Sequence, residues 1–207
     1  MYIKILILLL FSFSAFAQLT PVTDVESFRQ RLSVENRQFT SIECDFEQQN
    51  HLTIMDEPLV SSGKFYFRHD DMVRLDYTKP RPYLIVLNGQ KVKMVSDAKN
   101  SVYDMSSNQM ATVMKSMLTS CLFGDFSGVG KDYRLLVFED NSVYHVAIEP
   151  ISRNMRRYIQ KIEITFDKNN LSVNQLIVRE PSGDYTTHIF TNKQFNNTLP
   201  DKLFDLL

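Results

Sequence analysis

The amino-acid sequence predicts a mainly β protein of the α+β class, with one large antiparallel sheet interrupted by a helix. Three observations carry that expectation. Apolar and polar residues alternate in segment after segment, the period of a strand with one dry face and one wet face. Short clusters of Gly, Pro, Asn and Asp separate these segments, as turns between neighbouring strands require. Two stretches switch to the period of an amphipathic helix. The 207 residues allow one domain with a substantial core, and no repeat or linker divides them.

In chain order, Thr23-Asp24-Val25-Glu26 fits a capping box in which the Thr hydroxyl and the Glu carboxylate satisfy free amides of a first helical turn. Val25, Phe28 and Leu32 then share one face, which predicts a helix from about Asp24 to Asn36. From Ser41, Ile42, Cys44 and Phe46 alternate with Glu43, Asp45 and Glu47, and a second strand carries Gly63, Phe65 and Phe67 opposite Lys64, Tyr66 and Arg68. His69-Asp70-Asp71 is a turn or bulge, after which Val73, Leu75 and Tyr77 alternate with Arg74, Asp76 and Thr78 as far as Pro80. Leu84 to Leu87 is apolar on both faces, Asn88-Gly89 supplies a hairpin turn that needs positive φ, and Val92 and Met94 alternate with Lys91 and Lys93. Ser101 to Met105 is a further strand.

Ser107 is a plausible N-cap, and Met110, Val113, Met114, Met117, Leu118 and Cys121 form a helical stripe that Gly124 terminates. Strands resume at Tyr133 to Phe138, Val143 to Glu149, Tyr158 to Phe166, Leu171 to Arg179 and Tyr185 to Thr191.

The formal net charge of -1 offers no excess of positive charge for nucleic acid and no acidic tail. The first 17 residues, MYIKILILLLFSFSAFA, have one cation, an apolar run from Ile5 to Phe13, and Ala15-Phe16-Ala17. That is the pattern of a secretory signal cleaved after Ala17, leaving a domain over residues 18–207. The run is too short for the roughly 20 apolar residues of a membrane span. The residue directly after the cleavage site is Gln18 and not cysteine, so there is no thiol for an attached lipid and a membrane-tethered receptor is disfavoured. The two cysteines, Cys44 and Cys121, either pair across a long loop in an oxidising compartment or serve as two buried thiols.

Catalytic equipment is sparse. The four histidines, His51, His69, His145 and His188, do not form a metal-ligand pair one helical turn apart, and neither cysteine belongs to a Cys-x-x-Cys motif, so no metal is expected. There is no Gly-x-Ser-x-Gly elbow, no phosphate-cradling glycine loop and no Ser-x-x-Lys at the start of a predicted helix. The pairs Asp70-Asp71 and Glu139-Asp140 fall in predicted turns, where solvated charges are usual. Arg153, Arg156, Arg157 and Lys161 form a basic cluster that suits either an anionic partner or plain solvation. What remains is apolar surface: a curved sheet covered by a helix lined with adaptable methionines would enclose an apolar pocket.

Several segments, in this order and spacing, resemble the outer-membrane lipoprotein carrier (LolA) family of periplasmic proteins. They are Phe46-Glu47-Gln48, Gly63-Lys64-Phe65-Tyr66-Phe67, the run from Arg74 to Pro80, the run from Leu84 to Val92, and Leu199-Pro200-Asp201-Lys202-Leu203-Phe204. The resemblance implies an open, strongly curved antiparallel half-barrel closed by helices around an apolar cavity. It also implies a soluble periplasmic carrier, without catalysis or cofactor, that takes acylated lipoproteins from an inner-membrane release complex and passes them to an outer-membrane receptor. A carrier of free lipid or glycolipid, and a periplasmic lipoprotein-sensing binding protein, are the alternatives on the same fold. Phe46, Phe65, Phe67, Val73, Leu75, Tyr77, Val86 and Met94 would line the acyl cavity, with Met110, Met114, Met117 and Leu118 on a lid helix, while Lys64, Arg68, Arg74, Lys91 and Lys93 would face water. The family often has Arg-Pro where this chain has His69-Asp70, which marks Arg68 and His69 as candidates for holding the lid and releasing cargo.

Overall fold

The computed structural model describes residues 19–69, 72–105 and 133–206. The signal segment, Asp70-Asp71 and the Met110 to Cys121 stripe lie outside the described residues.

Among the described residues one α-helix, α1 (Val25–Asn36), precedes most of the strands. The strands are β1 (Thr20–Pro21), β2 (Ser41–His51), β3 (Leu59–Arg68), β4 (Met72–Lys79), β5 (Tyr83–Asn88), β6 (Lys91–Ser96) and β7 (Asn100–Asp104), followed by β8 (Tyr133–Glu139), β9 (Val143–Pro150), β10 (Lys161–Asp167), β11 (Val173–Arg179) and β12 (Tyr185–Phe195). All twelve form one antiparallel sheet in the order β1-β8-β9-β10-β11-β12-β2-β3-β4-β5-β6-β7, so the sheet stays open with β1 and β7 at its edges. It is two meanders joined where β12 pairs with β2, from Tyr185 opposite His51 to Phe195 opposite Ile42. A sheet of this width curls instead of staying flat. Inner-face residues of β2, β3 and β8 to β12 accordingly meet in a single apolar cluster with Phe28 and Leu32 of α1.

The expected elements are present wherever the structure describes them, with three local corrections. The helix cap is Asp24, not Thr23: its Oδ1 accepts from the Ser27 amide at 2.9 Å, and the Asp24 carbonyl already accepts from Phe28. The β5–β6 turn is centred on Gly89-Gln90, because Asn88 still pairs with Lys91, and Gly89 alone takes the positive φ of 57°. β10 begins at Lys161 and not at Tyr158, because Met155–Arg157 form a 3-10 turn that sends Ile159 into the core.

Residues 196–206 cross the outer face. Leu199 and Phe204 bury Val86 there, with Tyr66, Met72, Leu84, Leu203 and Leu206 around them, in a second, smaller core. Polar clamps fix the segment: Arg74 donates to the Leu203 carbonyl at 2.8 Å, Asn88 to the Phe204 carbonyl at 3.1 Å and Ser41 to the Asn197 carbonyl at 2.6 Å.

Gly63 marks a close approach between β3 and β4. It lies on the inner face between Phe46 of β2 and Tyr77 of β4, beside a register shift, and a Cβ there would stand 1.8 Å from the Asp76 carbonyl oxygen. The missing side chain lets the Phe46 and Tyr77 rings meet edge to face at 5.0 Å. Gly63→Ala is expected to lower stability by about 3 kcal/mol or more. Urea unfolding of the two proteins measures it, and equal midpoints would refute the constraint.

Candidate functional site

Pairing register decides which side chains share the inner face. Cys44 faces Phe65, which faces Leu75, which faces Ile85, which faces Met94. The next row runs Ile42, Phe67, Val73, Leu87 and Val92, and the row on the other side runs Phe46, Gly63, Tyr77 and Tyr83. Seven expected cavity residues, Phe46, Phe65, Phe67, Val73, Leu75, Tyr77 and Met94, are thus brought to one face. Ile85, Leu87 and Tyr83 join them, and the sequence reading had not selected these three.

Val86 is a correction. It pairs with Arg74 and Lys93, so it points to the outer face, where it is fully buried under Leu199 and Phe204. Arg68 stays on the expected outer face: β3 and β4 keep regular register up to Arg68 opposite Met72. There it donates to the Leu199 carbonyl at 3.2 Å, pairs with the Asp201 carboxylate and lies 5.0 Å above the Phe204 ring. Arg68 and Arg74 are therefore only 25% and 20% exposed, as clamps on residues 196–206 and not as solvated charges. Lys64 does reach solvent, paired with Asp45 at 2.7 Å. His69 is exposed at the end of β3 with its ring 6.2 Å from that of Phe67. Met110, Met114, Met117 and Leu118 fall outside the described residues.

Burial grades across the inner face. Under α1, Val146, Ile148, Ile162, Ile164 and Phe166 are at most 3% exposed. Toward the other edge Val73, Leu75, Tyr77, Tyr83, Ile85, Val92 and Met94 are only half-buried. Between α1 and β2, Phe39, Ile42, Cys44, Phe65, Phe190 and Phe195 border a cavity of about 20 Å³, together with Asn36, Ser172 and Lys193. That hole has room for about one water-sized group. Cys44 beside it carries a free thiol, and burial pushes its pKa up to about 12, so it packs as a small apolar group.

A polar band crosses the inner face just beyond the Phe46 row. The Tyr77 hydroxyl donates to Gln48 Oε1 at 2.7 Å, and His188 Nε2 lies 3.2 Å from the same oxygen. Gln48 Nε2 and the Thr186 hydroxyl both donate to Asn50 Oδ1, at 3.0 and 3.1 Å. Burial lowers the His188 pKa to about 4 and raises that of Tyr77, so both side chains are neutral at pH 7. Of the other histidines, His51 stacks on Tyr185 at 4.2 Å and His145 contacts Asp140 at 3.3 Å. Among the described residues no group of His, Cys, Asp and Glu could hold a metal ion, and no helix is long and apolar enough to cross a membrane. In the basic cluster, Lys161 pairs with Glu163 at 2.9 Å and Arg156 donates to the Ile151 carbonyl at 2.6 Å.

These features define a class: an open half-shell of antiparallel strands around an apolar inner face, with one helix packed on part of it. The chain matches the model of the outer membrane lipoprotein carrier protein LolA over residues 37–206, and it belongs to that family. Comparison with curated proteins gave no match. Among solved structures, a chain of the Pseudomonas aeruginosa MucA/MucB complex is 16% identical with a TM-score of 0.53, covering 87% of this chain and 60% of that one. This chain thus spans about 60% of the length of that relative. An uncharacterized conserved protein from Thermus thermophilus is 9% identical with a TM-score of 0.51, covering 86% of this chain and 92% of that one. A LolA superfamily protein from Nitrosomonas europaea is 11% identical with a TM-score of 0.43, covering 86% and 97%. At these identities the likeness is one of fold.

The buried His188 makes stability depend on pH. Above the ordinary value of 6.5 folded and unfolded chains both hold it neutral; below that value the unfolded chain takes up a proton that the folded chain refuses until about pH 4. Between pH 6.5 and 4 the folded state is expected to lose about 3 kcal/mol from this group. Urea midpoints of the parent and His188→Leu at pH 7 and pH 4 measure the loss: the variant should gain by that amount relative to the parent, and parallel losses would contradict the assignment.

Proposed function

We propose that this protein is a soluble periplasmic carrier, residues 18–207 after removal of the leader, that shelters the acyl chains of lipoproteins on its inner face during their passage from the inner to the outer membrane. The observation that carries this reading is the gradient of burial, with a solid core under α1 and a continuous apolar face from Val73 to Met94 that is only half-buried. A chain of about sixteen carbons costs on the order of 12 kcal/mol in water. No such cargo crosses an aqueous gap uncovered. Release requires the opposite property, a seat poorer than a membrane, and half-buried side chains grip less than a close-packed core. The partners that follow are acylated lipoproteins, an inner-membrane release complex and an outer-membrane receptor. A lipoprotein-sensing role is the second reading, favoured by the fold's likeness to a chain from a two-protein complex, MucA/MucB.

Mass spectrometry of the protein purified from its native periplasm tests the cargo: acylated polypeptide supports the carrier, free lipid shifts the reading to a lipid carrier, and the absence of both sinks it. Two variants test the face. Met94→Asp is expected to weaken binding of a fluorescent sixteen-carbon acyl probe at least tenfold with little change in unfolding midpoint. Val86→Ala, on the outer face, is expected to cost about 1–3 kcal/mol of stability and leave probe affinity unchanged. The reverse pattern would place the acyl seat elsewhere.

A further inference from the structure

The polar band on the inner face contains one atom that no described residue satisfies. Gln48 Oε1 is an amide oxygen and can only accept, so the proton between it and His188 belongs to Nε2. A neutral imidazole has one ring proton, which leaves Nδ1 as a bare acceptor. That atom is buried, and no donor among the described residues reaches it. Gln48 Nε2 and the Thr186 and Tyr77 hydroxyls donate elsewhere, to Asn50 Oδ1 and Gln48 Oε1. His188 is directly opposite Gln48 on β2 and beside Leu176 on β11, one row beyond Phe190 and Phe46, so its ring lies where apolar lining gives way to polar. An unmatched acceptor in low-dielectric surroundings destabilises the fold, and buried polar groups of this kind are ordinarily hydrogen-bonded.

We propose that His188 Nδ1 is a recognition point for the head of the acyl cargo, accepting a hydrogen bond from an N–H or O–H group next to the acyl carbonyl while the chain lies along the Phe46 and Tyr77 side of the inner face. The site therefore selects amide-linked or hydroxyl-bearing acyl groups over esters that carry no donor. Gln48 and Tyr77 are positioning residues, because together they hold the imidazole in the tautomer that leaves Nδ1 a bare acceptor. This inference rests on the carrier reading and names its selectivity. Discrimination of this sense is the strong kind: a buried group built to pair is left unpaired by the wrong ligand, whereas chain length alone changes affinity only methylene by methylene.

Three probes separate the possibilities: an N-palmitoylated Cys-Ser-Ser tripeptide, N-palmitoylethanolamine and methyl palmitate, each titrated at pH 7 against the full mature chain and its His188→Leu variant. The parent is expected to bind both amides about tenfold more tightly than the ester, and the variant to bind all three within about twofold of the ester's affinity for the parent. Equal affinity for tripeptide and ethanolamine amides assigns the preference to the amide itself, and a tighter tripeptide assigns it to acylated polypeptide. At pH 7 the variant should unfold at the same urea concentration as the parent or a higher one, since it removes an unmatched acceptor; a purely structural histidine would show a loss. Equal binding of ester and amides by the parent, or discrimination that survives in the variant, overturns this inference and leaves the carrier intact. Failure of all three probes to bind the parent overturns both.

Discussion

The pairing of β12 with β2 is the interaction on which the rest of the structure depends. Strands β2 to β7 and β8 to β12 are each consecutive meanders, and among the described residues only this seam pairs them into one face. It is also where register is adjusted. Between Thr191 and Gln194 the ladder shifts, Asn192 takes φ of 53° and its side chain bonds Asp45 outside at 2.6 Å. Lys193 is thereby turned toward the cavity beside Cys44, and its ammonium donates to Ser172 Oγ at 2.8 Å and to the Val173 carbonyl at 2.9 Å. The bulge thus ties β12 to the start of β11 as well as to β2.

With the seam in place, the two faces take opposite duties. The outer face has its own core, Val86 under Leu199 and Phe204, and two of its cations, Arg68 and Arg74, hold residues 196–206. Anchoring from outside lightens the structural load on the inner face of β4 to β6: Val73, Leu75 and Tyr77 still pack against the main core and Leu87 is buried, while Tyr83, Ile85, Val92 and Met94 contribute through pairing and partial burial. Under α1 the packing is close apart from the small cavity beside Asn36, and Phe28 meets Tyr144 and Phe166 at 4.9 and 6.4 Å between ring centres. A close-packed half beside a half-buried one suits the binding surface proposed above.

Much of this was legible in the sequence because β structure writes its period directly into alternation. Ile42, Cys44 and Phe46, or Phe65 and Phe67, could be assigned to one face by counting in twos. Val86 was lost because Leu84 to Leu87 is apolar on both sides, so alternation was silent there. Parity could still have placed it: with Met94 inside, any two-residue turn near Gly89 sets Val86 opposite a lysine. Arg68 and Arg74 looked solvated because charged residues usually are; what covers them is separated from them by well over a hundred residues, and no local pattern announces such a contact. His188 was weighed only as a metal ligand, since its orphaned nitrogen exists only once β12 lies beside β2.

The geometry of a sheet also sets a limit on what the described face achieves alone. Strands cover an extended chain from one side, so about half of the roughly 12 kcal/mol that a sixteen-carbon chain costs in water is recovered by lying on Val73 to Met94. The other half, about 6 kcal/mol, is a factor of more than ten thousand in affinity. On the proposed carrier reading, a cargo held from one side would desert to any bilayer it met, so a second apolar surface would be needed over it. The stripe of Met110, Met114, Met117 and Leu118 has the right chemistry for that surface: long, unbranched side chains conform to an irregular ligand without fixing one shape.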